Sequence, residues 1–149
     1  SRCYAPIESW VPLLRTPGAV FVNLQYDECE GELTRVERLA GIRVHRWADV
    51  DLKNDLESVA GLLWHLDVVI TAPTAVSSLA GAVGTETWQV DAGTDWTVFG
   101  DDRSPWLPSI RLFRRASGAT EWTELMGQIA GELRQRIGRS APALRQGSL

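Results

Sequence analysis

The chain is poor in the residues that staple small domains or bind metals in them. Two cysteines, Cys3 and Cys29, and two histidines, His45 and His65, occur in 149 residues. No metal-binding His/Cys spacing accompanies them, so neither a disulfide framework nor a zinc site is expected. Both histidines read as structural or surface residues. Positive charge is also in deficit: 15 Lys and Arg stand against 19 Asp and Glu, a net charge of −4. Composition therefore gives no help to non-specific binding of nucleic acid or an anionic membrane, and any grip on a polyanion must be local. No apolar run approaches the roughly 20 residues of a spanning helix, and no signal-peptide pattern opens the chain. We expect a cytoplasmic protein with no membrane span and no nucleic-acid partner. Since it starts at Ser1 and not at methionine, we also expect a piece of a longer protein. A Ser-His-Asp order, a GxSxG elbow and a P-loop are all missing. Gly81 and Gly84 fall inside and after a helical segment, not before it, so they make no dinucleotide fingerprint.

What is present suits one globular core, with 44% of residues apolar and 23% charged. Residues 7–14 have helical spacing, which Thr16-Pro17-Gly18 breaks. The run at 19–25 (AVFVNLQ) reads as a strand buried on both faces. An amphipathic helix follows at 30–40, with Leu33, Val36 and Leu39 or Ala40 on one side, and Gly41 ends it. A short strand is expected at 42–45. The polar link at 49–54 supplies capping residues for a helix at 55–66, whose apolar face is Leu56, Val59, Leu62 or Leu63, and Leu66. Next come a strand at 67–71, a small-residue helix at 74–83 and a strand at 85–90. A loop fills 91–108, a strand 110–113, and a closing helix 122–137 carries Leu125, Ile129, Leu133 and Ile137 at helical spacing. We divide the chain into one domain at 1–138 and a frayed tail at 139–149. Strands alternating with helices over short links imply right-handed βαβ units. The fold class is α/β, a Rossmann-like three-layer sandwich around a mostly parallel sheet.

Residues 66–88 (LDVVITAPTAVSSLAGAVGTETW) are the most informative stretch. An apolar strand feeds a small-residue turn, and a helix of Ala, Ser and Gly follows. Free backbone N–H groups at that helix start would stand at the carboxyl end of a buried strand, where α/β proteins hold phosphates. The same small residues also let helix and sheet pack closely, and the two readings are compatible. Asp91, Asp95, Asp101 and Asp102 fit no metal pattern, so a solvated loop and no metal are expected. Of seven tryptophans most should be core or partly buried packing residues, while Trp96 and Trp106, on the polar loop, should face a ligand or another domain.

From about residue 2 to 133 the chain resembles the C-terminal, nucleotide-sugar-binding half of heptosyltransferase-like GT-B glycosyltransferases. The likeness is to the bacterial branch in which this module follows tetratricopeptide repeats. It rests on Pro12-Leu13-Leu14, Phe21-Val22-Asn23-Leu24-Gln25, a helix with Leu56 and Ala60, and Leu66-Asp67-Val68-Val69-Ile70. Leu79-Ala80-Gly81-Ala82-Val83-Gly84, Trp88, and Pro105-Trp106-x-Pro108 before Arg111-x-Phe113 continue it. The resemblance implies a nucleotide-diphosphate-sugar donor as substrate, with no separate cofactor. Thr74, Ala75, Val76, Ser77 and Ser78 would give backbone N–H and hydroxyl donors to the diphosphate, and Arg2 would lie near it. Glu28, Glu30 or Glu32 would meet the ribose hydroxyls, Glu32 being our choice, although these carboxylates equally suit a helix start. Gln25 would face the same crevice, and Trp96 the base or a neighbouring half. General base and acceptor site would belong to an N-terminal GT-B half, so this chain alone would bind donor without turning it over. Two positions depart from the family pattern: Pro73 stands where an Asp is frequent, and Ser78 where a His is. Both departures argue against heptosyl transfer itself. They suit the alternative of a non-catalytic domain of the same fold, kept as a binding or protein-interaction module. An unrelated Rossmann-like small-molecule binder is a further alternative.

Overall fold

The computed structural model describes residues 5–92, 102–115 and 122–140. A 3-10 turn at Ile7–Trp10 runs into α1 (Val11–Leu14), followed by β1 (Phe21–Val22), α2 (Glu30–Ala40), β2 (Val44–His45) and α3 (Leu56–His65). Then come β3 (Val69–Thr71), α4 (Ala75–Ala82), β4 (Thr87–Asp91), β5 (Ile110–Arg114) and α5 (Trp122–Ser140). All paired strands are parallel. β1 pairs with β2, and β3, β4 and β5 lie side by side in that order, with Val69, Thr87 and Ile110 in register. The segment at 102–104 runs antiparallel along β5: Leu112 N donates to Asp102 O at 2.7 Å and Ser104 N to Ile110 O at 3.1 Å. The edge of β5 away from β4 is thereby covered.

Helices pack on both faces of the strands. Trp88, Val90 and Phe113 meet Leu125, Met126, Ile129 and Leu133 of α5 and Leu13 of α1 on one face. Val69 meets Val59 and Leu63 of α3 and Ala80 of α4 on the other. Phe21 packs against the α5 cluster and also against the α2 cluster of Leu33, Val36 and Val44. The result is a mixed α/β fold of short parallel strands, consistent with the Rossmann-like expectation. Among the described residues its ladder is in two pieces, β1–β2 and β3–β4–β5, and not one continuous sheet.

Helix α2 has the expected limits, and Gly41 ends it at φ 73°, donating its N–H to Glu37 O at 2.8 Å. Only glycine enters that left-handed region without strain. Gly81 matters for another reason. A Cβ there would lie 2.8–2.9 Å from Ile110 and Leu107 side-chain carbons, so its absence lets α4 sit close against the start of β5.

Several expectations need correction. The strand expected at 19–25 shrinks to two half-buried residues, and Val20 is 87% exposed. Asn23 turns the chain there: its Oδ1 accepts from Gln25 N and its Nδ2 donates to Gln25 O, both at 3.2 Å. On α2, Ala40 is buried and Leu39 exposed; on α3, Leu56 is exposed, leaving Val59 and Leu63 inside. Trp47, in the link after β2, and Trp64 are surface residues, not core; Trp64 is outside because the buried side of α3 is set by Val59 and Leu63. Trp88 alone among the described tryptophans is fully buried. Helix α5 runs on to Ser140, past the expected end at 137.

Two ion pairs tie α2 to the residue after β2, from Arg46 to Glu30 and to Glu37. Glu37 Oε1 accepts from Val44 N at 2.7 Å and from Arg46 Nη1 at 2.8 Å. Arg46 hydrogen bonding, then the Val44 N–H, hold the Glu37 carboxyl below the ordinary glutamate value of 4.5. A carboxylate with a lowered folded-state pKa contributes stability at neutral pH that is lost as the pH falls below that value. Glu37→Gln is therefore expected to lower unfolding free energy by about 1–3 kcal/mol at pH 7. The gap from the wild type should close as the pH drops below 4.5. Denaturant unfolding across a pH series measures it, and a gap unchanged at pH 3 would contradict the assignment.

Candidate functional site

Parallel pairing brings the carboxyl ends of the strands in each ladder to one edge, and β3 and β4 end there at Thr71 and Asp91. Beyond Thr71 the chain turns through Ala72 and Pro73. Thr71 Oγ1 donates to Ala72 O at 3.1 Å and lies 3.5 Å from Thr74 Oγ1. Thr74 is the N-cap of α4, extended at φ −136° and ψ 176°, and its side chain makes no capping hydrogen bond to the helix. Ser78 N closes the first helical bond on Thr74 O at 3.2 Å. The amides of Ala75, Val76 and Ser77 precede that bond and so lie outside the intrahelical ladder. Thr74, Ala75 and Ser78 are exposed and small. The arrangement offers uncommitted N–H donors, the positive end of a helix dipole, and room for an anion to reach the backbone.

The expected residues are placed unevenly around this point. Val76 is half-buried against the Val59–Leu63 cluster, so only its amide is available to a ligand. Ser77 is buried, and its hydroxyl donates to Gln89 Oε1 at 2.6 Å. The expectation of a Ser77 hydroxyl donor to phosphate is thus corrected: its hydrogen goes to the sheet. Gln25 and Glu32 are exposed, the first in the Asn23 turn after β1 and the second in the first turn of α2. Glu30 is tied to Arg46 at 2.8 Å. Arg2 and Trp96 lie outside the described residues. Trp106 is 75% exposed but stands near the amino end of β5, at the opposite end of the sheet from the α4 N-terminus.

Other features at the carboxyl edge went unread in the sequence. Asp91, expected in a loop, is the last residue of β4, 4% exposed, and its Oδ2 has no hydrogen-bond partner. The alternation in Thr87-Trp88-Gln89-Val90-Asp91 was the available signal, since every second residue of a strand shares a face. Cys29, buried at the start of α2, has its thiol pushed up by burial, against a weaker opposing hydrogen bond from Asn23. Such a thiol is a poor nucleophile.

At the amino ends of β4 and β5 a separate polar cleft of about 490 Å3 is lined by Gly84, Glu86, Arg103, Ser109, Arg111, Glu132 and Arg139. Its glutamates are paired, Glu132 with Arg111 at 3.1 Å and Glu86 with Arg136 at 2.8 Å. Burial raises the Glu86 carboxyl, but the hydrogen bonds from Arg136 and Trp88 outweigh it and leave the pKa lowered. Among the described residues no group of His, Cys, Asp or Glu could hold a metal ion, and no helix is long and apolar enough to cross a membrane.

No family model and no solved structure matches the chain. A curated protein does. The chain is 40% identical over 134 residues to Protein FlbA of Caulobacter vibrioides, a match that takes in 90% of this chain and 22% of FlbA. It thus spans less than a quarter of that relative's length, and the name FlbA states no ligand or reaction.

Proposed function

We propose that this chain is the donor-binding half of a GT-B glycosyltransferase and holds a nucleotide-diphosphate sugar at the carboxyl edge of β3 and β4. The observation that carries the reading is the start of α4. Its amides are outside the helical ladder, its N-cap side chain makes no capping bond and touches only the Thr71 hydroxyl at 3.5 Å, and its exposed residues are small. A diphosphate placed there is neutralised by N–H donors and the helix dipole, with no metal required. As glycosyl transfer proceeds, negative charge grows on the leaving diphosphate, so these donors favour the transition state over the ground state. The acceptor and general base belong to an N-terminal GT-B half, in a longer cytoplasmic protein that also carries tetratricopeptide repeats.

Calorimetric titration with UDP, ADP and GDP tests the reading. Saturable micromolar binding by one of them, abolished by substitution at Thr74, is the expected result. The second reading, an interaction module without a donor site, draws on exposed Leu56 and Trp64 along α3 and on Trp106. It requires that none of the three nucleotides bind.

A further inference from the structure

Asp91 is the one carboxylate at the carboxyl edge of β3–β4–β5 that is both buried and incompletely hydrogen-bonded among the described residues. Burying a carboxylate oxygen with no donor is costly, so such a group points to something that satisfies it. The side chain's direction follows from its strand. Gln89 points at α4, since its Oε1 accepts from Ser77 Oγ at 2.6 Å. Trp88 and Val90 point the other way, into the α5 cluster. By the two-residue repeat of a strand, Asp91 lies on the α4 face, one step nearer the carboxyl edge than Gln89. Helix α4 runs back along the strands, so one turn before Ser77 is Thr74, its uncapped start. The unpartnered carboxylate is therefore aimed beneath the N-terminus proposed to hold the diphosphate.

These two features ask for different chemistry. The helix start wants an anion. Asp91 is acceptor-only when ionised and wants a hydrogen-bond donor, which a diphosphate lacks. Arg114, level with Asp91 on β5, supplies a positive neighbour in register but leaves Oδ2 unsatisfied. One ligand satisfying both must carry a diphosphate and, bonded to it, a hydroxyl-bearing group. On the proposed reading the nucleoside lies toward β1 and α2, where Gln25 and Glu32 are. The group on the β4 side of the diphosphate is then the sugar. We infer that Asp91 accepts a hydrogen bond from a hydroxyl of the transferred sugar, and that it distinguishes a sugar nucleotide from the bare diphosphate. A divalent cation bridging Asp91 to the diphosphate is the less fitting occupant. Such an ion needs several oxygen ligands and retained waters, and among the described residues no acidic cluster accompanies Asp91.

This inference rests on the proposed donor site, and the experiment separates the two. Wild type, Asp91→Asn and Asp91→Ala are titrated with UDP and UDP-glucose, ADP and ADP-glucose, and GDP and GDP-mannose, each with and without Mg2+. Thermal unfolding confirms that the variants fold. The wild type is expected to bind one sugar nucleotide at least tenfold more tightly than its parent diphosphate. Both substitutions should erase that preference and leave diphosphate affinity within about twofold, as for the loss of one charge-assisted hydrogen bond. Diphosphate binding with no sugar preference, or equal weakening of both ligands in the variants, overturns the role of Asp91 and leaves the donor site standing. An effect of Asp91 seen only with Mg2+ overturns it in favour of a bridging cation. No binding by any of the six ligands overturns both readings together.

Discussion

Replacing Trp88 with alanine is expected to destabilise the protein by about 3–5 kcal/mol, the range for deleting a buried large aromatic. Trp88 is 2% exposed, sits in the middle strand of β3–β4–β5, and shares one core cluster with Leu13 of α1 and Met126, Ile129 and Ala130 of α5. Its ring centroid is 5.4 Å from that of Phe113, and its indole N–H donates to Glu86 Oε1 at 2.9 Å. Truncation removes the ring, leaves a cavity between sheet and helix, and deprives the half-exposed Glu86 of one donor. A domain of this size has roughly 5–15 kcal/mol in all, so the variant should be close to the limit of folding. Denaturant unfolding followed by circular dichroism gives the value. A loss below 1 kcal/mol would mean that the β4–α5 cluster is not the main core. Trp88→Phe, which keeps a ring, should lie between the two.

Ala75→Glu should have effects of opposite sign on stability and on binding. Ala75 is exposed at the first helical position of α4, where a carboxylate meets the positive end of the dipole. Stability is expected to rise by about 0.3–1 kcal/mol. The same charge would confront a bound diphosphate. Two unit charges 4 Å apart near a protein surface repel by roughly 4 kcal/mol before salt screening. A loss of at least about a hundredfold in nucleoside-diphosphate affinity follows. Ala75→Lys should reverse both signs. No misfolding defect produces weaker binding together with a more stable fold, so finding the two in one variant isolates electrostatics at the helix start. Binding unchanged in Ala75→Glu would place the anion elsewhere.

Helix α2 was legible in the sequence to its last residue, because a clear apolar repeat ended on a glycine that takes a left-handed backbone. Helix α4 and strands β3 and β4 were also placed by their patterns to within two residues. The run at 19–25 misled because apolar content was read as strand length. Asn23 ends the strand with local hydrogen bonds that periodicity does not register. Hydrophobicity alone gave Trp64 no reason to be outside. Its exposure follows from which side of α3 Val59 and Leu63 commit to the core. At the candidate site the location of the helix start was readable, but the fates of individual side chains were not. Ser77 looked like a donor among other small residues, yet it faces Gln89 twelve positions away, a contact only the fold creates. Asp91 looked like loop because it is polar and begins an acidic stretch, while pairing with β5 makes it the buried end of a strand.

Amide-resolved NMR titration of the whole chain with UDP, ADP and GDP tests the central claim most directly. The expected result is saturable binding of one nucleotide, with the largest shifts at the amides of Thr74, Ala75, Val76, Ser77 and Ser78. No saturable shift with any of the three would contradict the claim. So would shifts centred on Arg103, Arg111 and Arg139, at the cleft on the opposite end of the sheet.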